Sequence, residues 1–452
     1  LQSRDGKPLA VIANYSQHYF GSPILHPDYF GVFSEKIAAK IGADGDFVGM
    51  MSQGTSGDQM WMNYGAPKTD ITLDQYSERV AVKAMEAYGK IRYRDTANLA
   101  MAEARITLQR RVPDARRLEW AKALLAGTNG AKPKNQQEVY AREQMFLKNE
   151  PARELKLQAI RIGDLGITAI PNEVFAITGL KIKAQSPLAG TFVVELANGA
   201  EGYIPPPAQH GLGGYTTWPA RSAGLEVEAE ERITEQVLQL LEKVAGRPRR
   251  PVAENHGPYA RAVLASRPAA YWRLGEFAGP QAGDATGGQP AAYKGGIAFY
   301  VDGPEPERIS GGPRNPAVYL AGGRLESSLE LKGAYTVEMW FWNGMAADAK
   351  LVSVGAGELS LNSQGNLRFG GSAGETSVPL KAWNHVALVR DGARVRVYVN
   401  GSSRADIDAN TNAAAGGRLV VGGFEGKVDE VAAYSRALTA VEIERHYRTA
   451  GR

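Results

Sequence analysis

The chain has 452 residues, too many for one ordinary hydrophobic core, so two or three domains are expected. Hydrophobic residues make up 44% and charged residues 22%, a globular balance that excludes a disordered chain. Lys and Arg number 52 against 48 Asp and Glu, and a net charge of +4 over this length gives no footprint for nucleic acid. The absence of cysteine excludes disulfide frameworks, thiolate zinc sites, iron–sulfur clusters and cysteine nucleophiles. No apolar run approaches the roughly 18 residues that span a bilayer. The sequence opens at Leu1 with no basic-then-apolar signal pattern, which reads as a processing boundary with further chain upstream.

Up to about residue 244, strand and helix patterns alternate. Residues 9–13 (LAVIA) are a short apolar run of the buried-strand kind, and 33–41 carry apolar residues at helical spacing. Residues 46–51 (DFVGMM) read as a second strand. Thr72 is placed to N-cap a helix running through residue 91, with Asp74 in its first turn. Residues 154–162 partly alternate, turn at Gly163 and Asp164, and continue as a strand over 167–170. A helix is expected over 173–183 after Pro171, and an amphipathic one over 228–244 on Ile233, Val237, Leu240 and Leu241. The alternation predicts an α/β layered domain over 1–245.

Residues 246–257 and Pro258 combine three prolines, two glycines and no apolar periodicity. This stretch (246–257) is expected to be a linker with solvated arginines. Beyond it, β-rich runs at 335–342, 350–354, 359–361, 366–369, 385–390, 393–399 and 418–421 are separated by turn residues such as NSQG (362–365) and NG (400–401). That spacing over 258–452 predicts an all-β sandwich or jelly roll, closed by a helix over 439–448. No repeat of 20–50 residues is present, which excludes a solenoid or propeller.

The segments AYWRLGE (270–276), YTVEMWFW (335–342), WNHVALV (383–389), VRVYVNG (395–401), GKVDEVAAYSRAL (426–438) and EIERH (442–446) resemble the concanavalin-A-like, laminin-G type jelly roll of secreted bacterial proteins. The resemblance implies a module that binds a glycan or another surface ligand, or spaces domains. Trp272, Trp340, Trp342 and Trp383 are candidates for a sugar-stacking face, against the commoner role of strand tryptophans as core. A Ca2+ ion at a sheet edge suits such a module, although no Asp-rich loop has the spacing for it. His385 reads as a strand residue.

Four places in the first half draw attention: NYSQH (14–18) directly after a strand, QGTSGD (53–58), PNE (171–173) and NGAEGYIP (198–205). Ligands gather at the carboxyl ends of α/β strands, but a lone His or Glu there is more often a cap or a hydrogen-bonded structural residue. Their order resembles the neutral/alkaline (non-lysosomal) ceramidase family, whose catalytic domain holds one zinc and hydrolyses an N-acyl amide. The loop ending at His18, the segment DYFG (28–31), Gly57-Asp58-Gln59-Met60, Pro171-Asn172-Glu173, Gly202-Tyr203 and Gly213-Gly214-Tyr215 match its motifs in sequence, over about residues 7–244.

The resemblance implies Zn2+ bound by His18, Glu173 and Tyr203. Tyr215 would donate to a developing oxyanion, and Asp58 is either catalytic or a loop-orienting group. Two departures stand out. The family's His-x-His, source of a further zinc ligand, lies upstream of the matched region, and none of the six histidines here forms that pair. An upstream segment or a second chain is therefore expected to complete the site. Met60 stands where the family has Ser, which moves the substrate away from ceramide. His210 and His26 read as a solvated loop residue and a turn residue. The reading is a secreted or cell-surface, bacterial, zinc-dependent amidohydrolase acting on an N-acyl amide or sphingolipid-like substrate, with an accessory β-sandwich. The alternative is a non-catalytic surface or carbohydrate-binding protein on a degenerate hydrolase scaffold.

Overall fold

Apolar strand, amphipathic helix and apolar strand open the chain as a βαβ unit in the computed structural model, which describes residues 1–64, 66–252, 255–412 and 416–452. Two units divide the chain, Leu1–Val252 and Ala253–Arg452. In the first, β1 (Ala10–Tyr15) passes through a loop into α1 (Asp28–Ile41), which returns the chain to β2 (Val48–Gln53), parallel to β1. Next comes α2 (Leu73–Tyr88), N-capped by Thr72 in a reciprocal capping box with Gln75. Val11, Ala13, Tyr15 and Met51 pack under Phe33 and Ile37 of α1 and Val80 and Ala81 of α2. The other face of this two-stranded sheet leaves Ile12 56%, Val48 49% and Met50 43% exposed.

A second sheet follows. It comprises β3 (Leu99–Gln109), then, after the helical hairpin α3 (Ala115–Ala126) and α4 (Gln136–Asn149), β4 (Ala152–Ile162) and β5 (Leu165–Ala169). Chain order continues with β6 (Glu173–Val174), α5 (Ala176–Gln185), β7 (Gly190–Val194), β8 (Tyr203–Ile204), α6 (Pro207–His210) and α7 (Ala229–Ala245). The sheet runs β3-β4-β5-β7, antiparallel except for the parallel β5–β7 edge. Ile233, Val237, Leu240 and Leu241 of α7 join Leu155, Leu157 and Ala159 of β4 in its core. Each such side chain stabilises the unit by about 1.5–3 kcal/mol relative to exposure.

The helix expected from residue 173 starts at Ala176 instead. Glu173 and Val174 are first drawn into a short parallel pairing with Tyr203 and Ile204. The arginines expected to be solvated are engaged. Arg249 pairs with Glu235 at 2.7 Å and Glu242 at 3.0 Å, and Arg247 donates to the Pro187 carbonyl at 2.6 Å. Their guanidinium forks satisfy carboxylates and a carbonyl beside the end of α7. Residues 253 and 254 of the expected linker lie outside the described residues.

The second unit is an all-β sandwich of the jelly-roll kind. It opens with α8 (Pro258–Ala265), β9 (Ala270–Trp272), β10 (Gln281–Ala282), β11 (Ala291–Asp302), the turn-like α9 (Pro306–Ile309) and β12 (Pro316–Lys332). The strands β13 (Tyr335–Asn343), β14 (Ala349–Val354), β15 (Gly357–Leu361), β16 (Asn366–Phe369), β17 (Ser372–Ser377) and β18 (Trp383–Asp391) follow. It closes with β19 (Arg394–Val399), β20 (Ile407–Asn410), β21 (Gly416–Gly422), β22 (Glu425–Tyr434) and α10 (Ala440–Thr449). The main path of pairing runs β17-β16-β15-β14-β21-β12-β22-β13-β18-β19-β20. The long β12 also holds β11, and β22 holds β9.

Trp272 and Trp340 are fully buried, so neither offers a stacking face. Trp342 and Trp383 are half-buried cross-strand partners on β13 and β18. The core also seals in a carboxylate. Glu338 accepts from the Tyr434 hydroxyl at 2.5 Å and contacts His446 Nδ1 at 2.9 Å, with His385 Nε2 3.3 Å away.

Candidate functional site

The pairing of β6 with β8 sets Glu173 directly opposite Tyr203. The loop after β1 then delivers His18 to the same point. His18 Nε2 lies 3.3 Å from Glu173 Oε2 and 3.2 Å from Tyr203 Oη. The Tyr203 hydroxyl is in turn 3.1 Å from that of Tyr215, which sits on a single helical turn over Tyr215–Thr217. Four of the five residues singled out in the sequence thus meet, from four separate segments.

Local chemistry explains each placement. Buried Asp28 accepts backbone N–H bonds from Phe20, Gly21, Ser22 and Tyr29, fixing the loop that follows His18. Burial pushes this carboxyl up, but those N–H bonds overcome it and hold it down at about 2. The Tyr29 hydroxyl donates to the Gln17 carbonyl at 2.8 Å, tethering the residue before His18. Gly202 has φ +78°, and a Cβ there would meet the Ser222 carbonyl oxygen at 2.4 Å, so only glycine lets Tyr203 enter at this depth. Gly57 plays a similar part: a Cβ would stand 2.8 Å from the Glu173 carbonyl oxygen, and its N–H donates to the Val174 carbonyl.

His18 Nδ1 faces the Gln59 carbonyl oxygen at 3.2 Å. A proton donated there leaves the Nε2 lone pair pointing at Glu173 and Tyr203, the tautomer a metal-binding imidazole needs. Glu173, placed to accept from the protonated ring, raises the imidazole pKa against the opposing effect of burial. The Tyr203 phenol is pushed well above its ordinary value, by burial first and then by Glu173 and Tyr215. His18 and Glu173 side chains keep 18% and 25% of their surface, so the cluster opens to water.

Asp58 sits elsewhere. Its carboxylate accepts the Ala176 N–H at 2.7 Å and so anchors the N-terminus of α5. Met60 is 40% exposed. His210 is half-buried with Nδ1 3.5 Å from Arg111 Nη1, and burial, then that guanidinium, lowers its pKa. His26 accepts the Asp28 N–H through Nδ1, as a turn residue does.

Two contributors escape a reading of the sequence. Glu195, one residue beyond β7 and 2% exposed, accepts N–H bonds from Ser56 and Val174 at 3.0 and 2.8 Å and the Ser56 hydroxyl, tying the Gly57 loop to the strand that bears Glu173. Burial raises its carboxyl to about 7 despite those donors. Arg111 donates to the carbonyls of Thr217, Leu225 and Ala223, holding the segment that carries Tyr215. A lone Glu ending an apolar run and an Arg after a strand carry no motif that would reveal either.

Tetrahedral zinc with bonds of 2.0–2.2 Å sets its ligand atoms about 3.4 Å apart. His18 Nε2 stands 3.3 Å from the Glu173 carboxylate and 3.2 Å from the Tyr203 hydroxyl, each close to the separation of two ligand atoms on one such ion. Among the described residues no group of three or more His, Cys, Asp or Glu gathers in this way, and Tyr203 supplies the third donor.

Residues 315–444 match the family model of the concanavalin A-like lectin/glucanases superfamily (Laminin_G_3), so the second unit carries a laminin-G type, concanavalin-A-like jelly roll. No curated protein matches the chain. Among solved structures, it is similar to domain 4 of an extracellular GH43 arabinanase from Geobacillus stearothermophilus in complex with arabinotriose, at 22% identity and a TM-score of 0.31, over 40% of this chain and 98% of that one. Trypanosoma rangeli sialidase is similar at 15% identity and a TM-score of 0.30, over 39% and 32%. The ligand-binding domain of botulinum neurotoxin serotype D, in complex with N-acetylneuraminic acid, is similar at 11% identity and a TM-score of 0.32, over 41% and 52%. The chain spans about a third of the sialidase and half of the toxin structure. No helix among the described residues is long and apolar enough to cross a membrane.

Proposed function

We propose that the first unit is a zinc-dependent hydrolase of N-acyl amides, with His18, Glu173 and Tyr203 as metal ligands. The laminin-G-like unit would serve as its accessory module for a glycan or surface ligand, outside the cell. One observation carries this reading: the Glu173 carboxylate and the Tyr203 hydroxyl, from two further segments, stand 3.3 and 3.2 Å from His18 Nε2. Bound there, zinc supplies Lewis acidity to a carbonyl oxygen and to water.

The chain's own residues do the rest. The Gln59 carbonyl holds the His18 tautomer. Tyr215, 48% exposed, holds its hydroxyl beside that of Tyr203, where it can donate to a substrate oxygen on which charge develops. Asp58 positions α5 and the Gly57 loop rather than touching substrate. Met60, 40% exposed, stands in sequence where the resembling family has a hydroxyl, which in this reading favours an acyl amide other than ceramide. The exposed Ile12, Val48 and Met50 face supports a packed neighbour on β1–β2.

The test is hydrolysis of a panel of fluorogenic N-acyl amides of differing chain length by the full chain supplied with zinc. Tyr215→Phe is expected to lower kcat by ~10²-fold with little change in KM, as loss of one oxyanion donor does. Absence of turnover by wild-type protein that has bound zinc would instead favour a scaffold without catalysis.

A further inference from the structure

The α3–α4 hairpin and the loop after Tyr215 line an open groove of about 330 Å3, away from the His18 cluster. Its walls are Trp120 of α3, Tyr140 of α4 and Trp218 of the loop, and no Leu, Ile, Val, Met or Phe lines it. Trp120 is 36% and Trp218 42% exposed, an unusual outlay for large aromatic side chains. Tyr140 meets Trp218 edge to face at 5.7 Å, and Arg117 lies 4.7 Å over the Trp120 ring. The polar members are Arg117, Gln136 and Gln137. Among the described residues no side-chain hydrogen bond or ion pair engages any of the three.

The loop presenting Trp218 is held from both flanks. Glu143 of α4, 7% exposed, binds the Arg221 guanidinium at 2.9 and 2.8 Å and its N–H at 3.0 Å. Gln144, 1% exposed, donates to the Pro219 carbonyl at 2.9 Å, and Arg111 donates to the Thr217 carbonyl at 2.9 Å from the other side. Buried polar groups therefore fix an exposed tryptophan in place before any ligand arrives, which lowers the ordering cost of binding.

We propose that this groove binds an acidic saccharide. Its pyranose face packs on indole, its hydroxyls meet the Gln136 and Gln137 amides, and its carboxylate meets Arg117. The polarised C–H bonds of a sugar face suit the negative face of an aromatic ring. Amides that donate and accept suit hydroxyls, and a guanidinium fork that no carboxylate engages suits a carboxylate. An acyl chain would call for aliphatic walls, which the groove lacks. The inference is independent of the zinc reading.

The full chain is titrated calorimetrically with uronate oligosaccharides (galacturonate, mannuronate and glucuronate-containing trimers or tetramers), with their neutral counterparts, and with decanoate. At least one uronate is expected to bind, at least five-fold more tightly than its neutral counterpart in low salt. Arg117→Gln should erase that preference, Trp218→Ala should weaken binding at least ten-fold, and His18→Ala should leave it unchanged. Both groove variants change exposed side chains, and a thermal melt confirms their fold. The proposal is overturned if no uronate binds, if decanoate binds instead, if acid and neutral sugars bind alike, or if Trp218→Ala leaves the affinity intact.

Discussion

Each unit sets a histidine against a glutamate and a tyrosine hydroxyl, and the two clusters differ in what surrounds them. In the first, His18, Glu173 and Tyr203 come from loop ends and two-residue strands, with His18 and Glu173 still reached by water. In the second, Glu338 of β13, His446 of α10 and Tyr434 of β22 are fully buried. Burial would raise the Glu338 carboxyl. The charge of His446, then His385 Nε2 at 3.3 Å and the bond from His446, overcome that and hold it far below the carboxylate range. The same residue types act as a fastening when sealed between strands and helix, and as a candidate site when a cleft leaves their lone pairs reachable.

The largest effect expected from this contrast is at Glu338. Glu338→Gln keeps the shape but removes the charge facing the buried histidines, and should cost the second unit about 3–5 kcal/mol in denaturant unfolding. Glu173→Gln in the half-open cluster should cost under about 1 kcal/mol. Equal losses would mean that burial does not set what the two glutamates contribute. Because the folded pKa of Glu338 is depressed, its contribution is present above the unfolded value near 4.5 and is lost only in stronger acid.

Glu195 should show the opposite dependence. Its folded pKa of about 7 exceeds the ordinary 4.5, so the fold is favoured below 4.5 and loses stability as pH rises through 7. The shift corresponds to about 3 kcal/mol for this buried group. His18, also raised, adds to the same slope. The readout is therefore the difference between wild type and Glu195→Gln in metal-free protein: the variant should lose less stability between pH 5 and pH 8. Parallel pH profiles would contradict the assignment. A smaller effect, about 2 kcal/mol, is expected for Gly202→Ala, which adds a Cβ at φ +78° against the Ser222 carbonyl. That variant should also displace Tyr203, readable as a change in tyrosine fluorescence.

The second unit was largely legible because its strands carry their own turn chemistry. Residues 366–369 form β16 as expected, and Thr439 caps α10 through a box with Glu442. The first unit was legible where apolar period and cap agree, as at α2 and α7, and not where pairing partners lie far apart. Nothing local in PNEV (171–174) marks a strand that exists only because Tyr203 and Ile204 lie alongside. The α3–α4 hairpin likewise went unread, since α3 buries only Ala121 and its apolar stripe is weak. His18, Glu173, Tyr203 and Tyr215 were found through the order of motifs, whereas Glu195 and Arg111, which brace them, belong to no motif at all.

The most direct test of the central claim, that His18, Glu173 and Tyr203 form one metal-binding cluster, is zinc titration of metal-free full chain beside His18→Ala and Tyr203→Phe. One zinc should bind per chain, with affinity falling at least ten-fold in each variant. Zinc that fails to bind, or that binds the wild type and both variants alike, would contradict it.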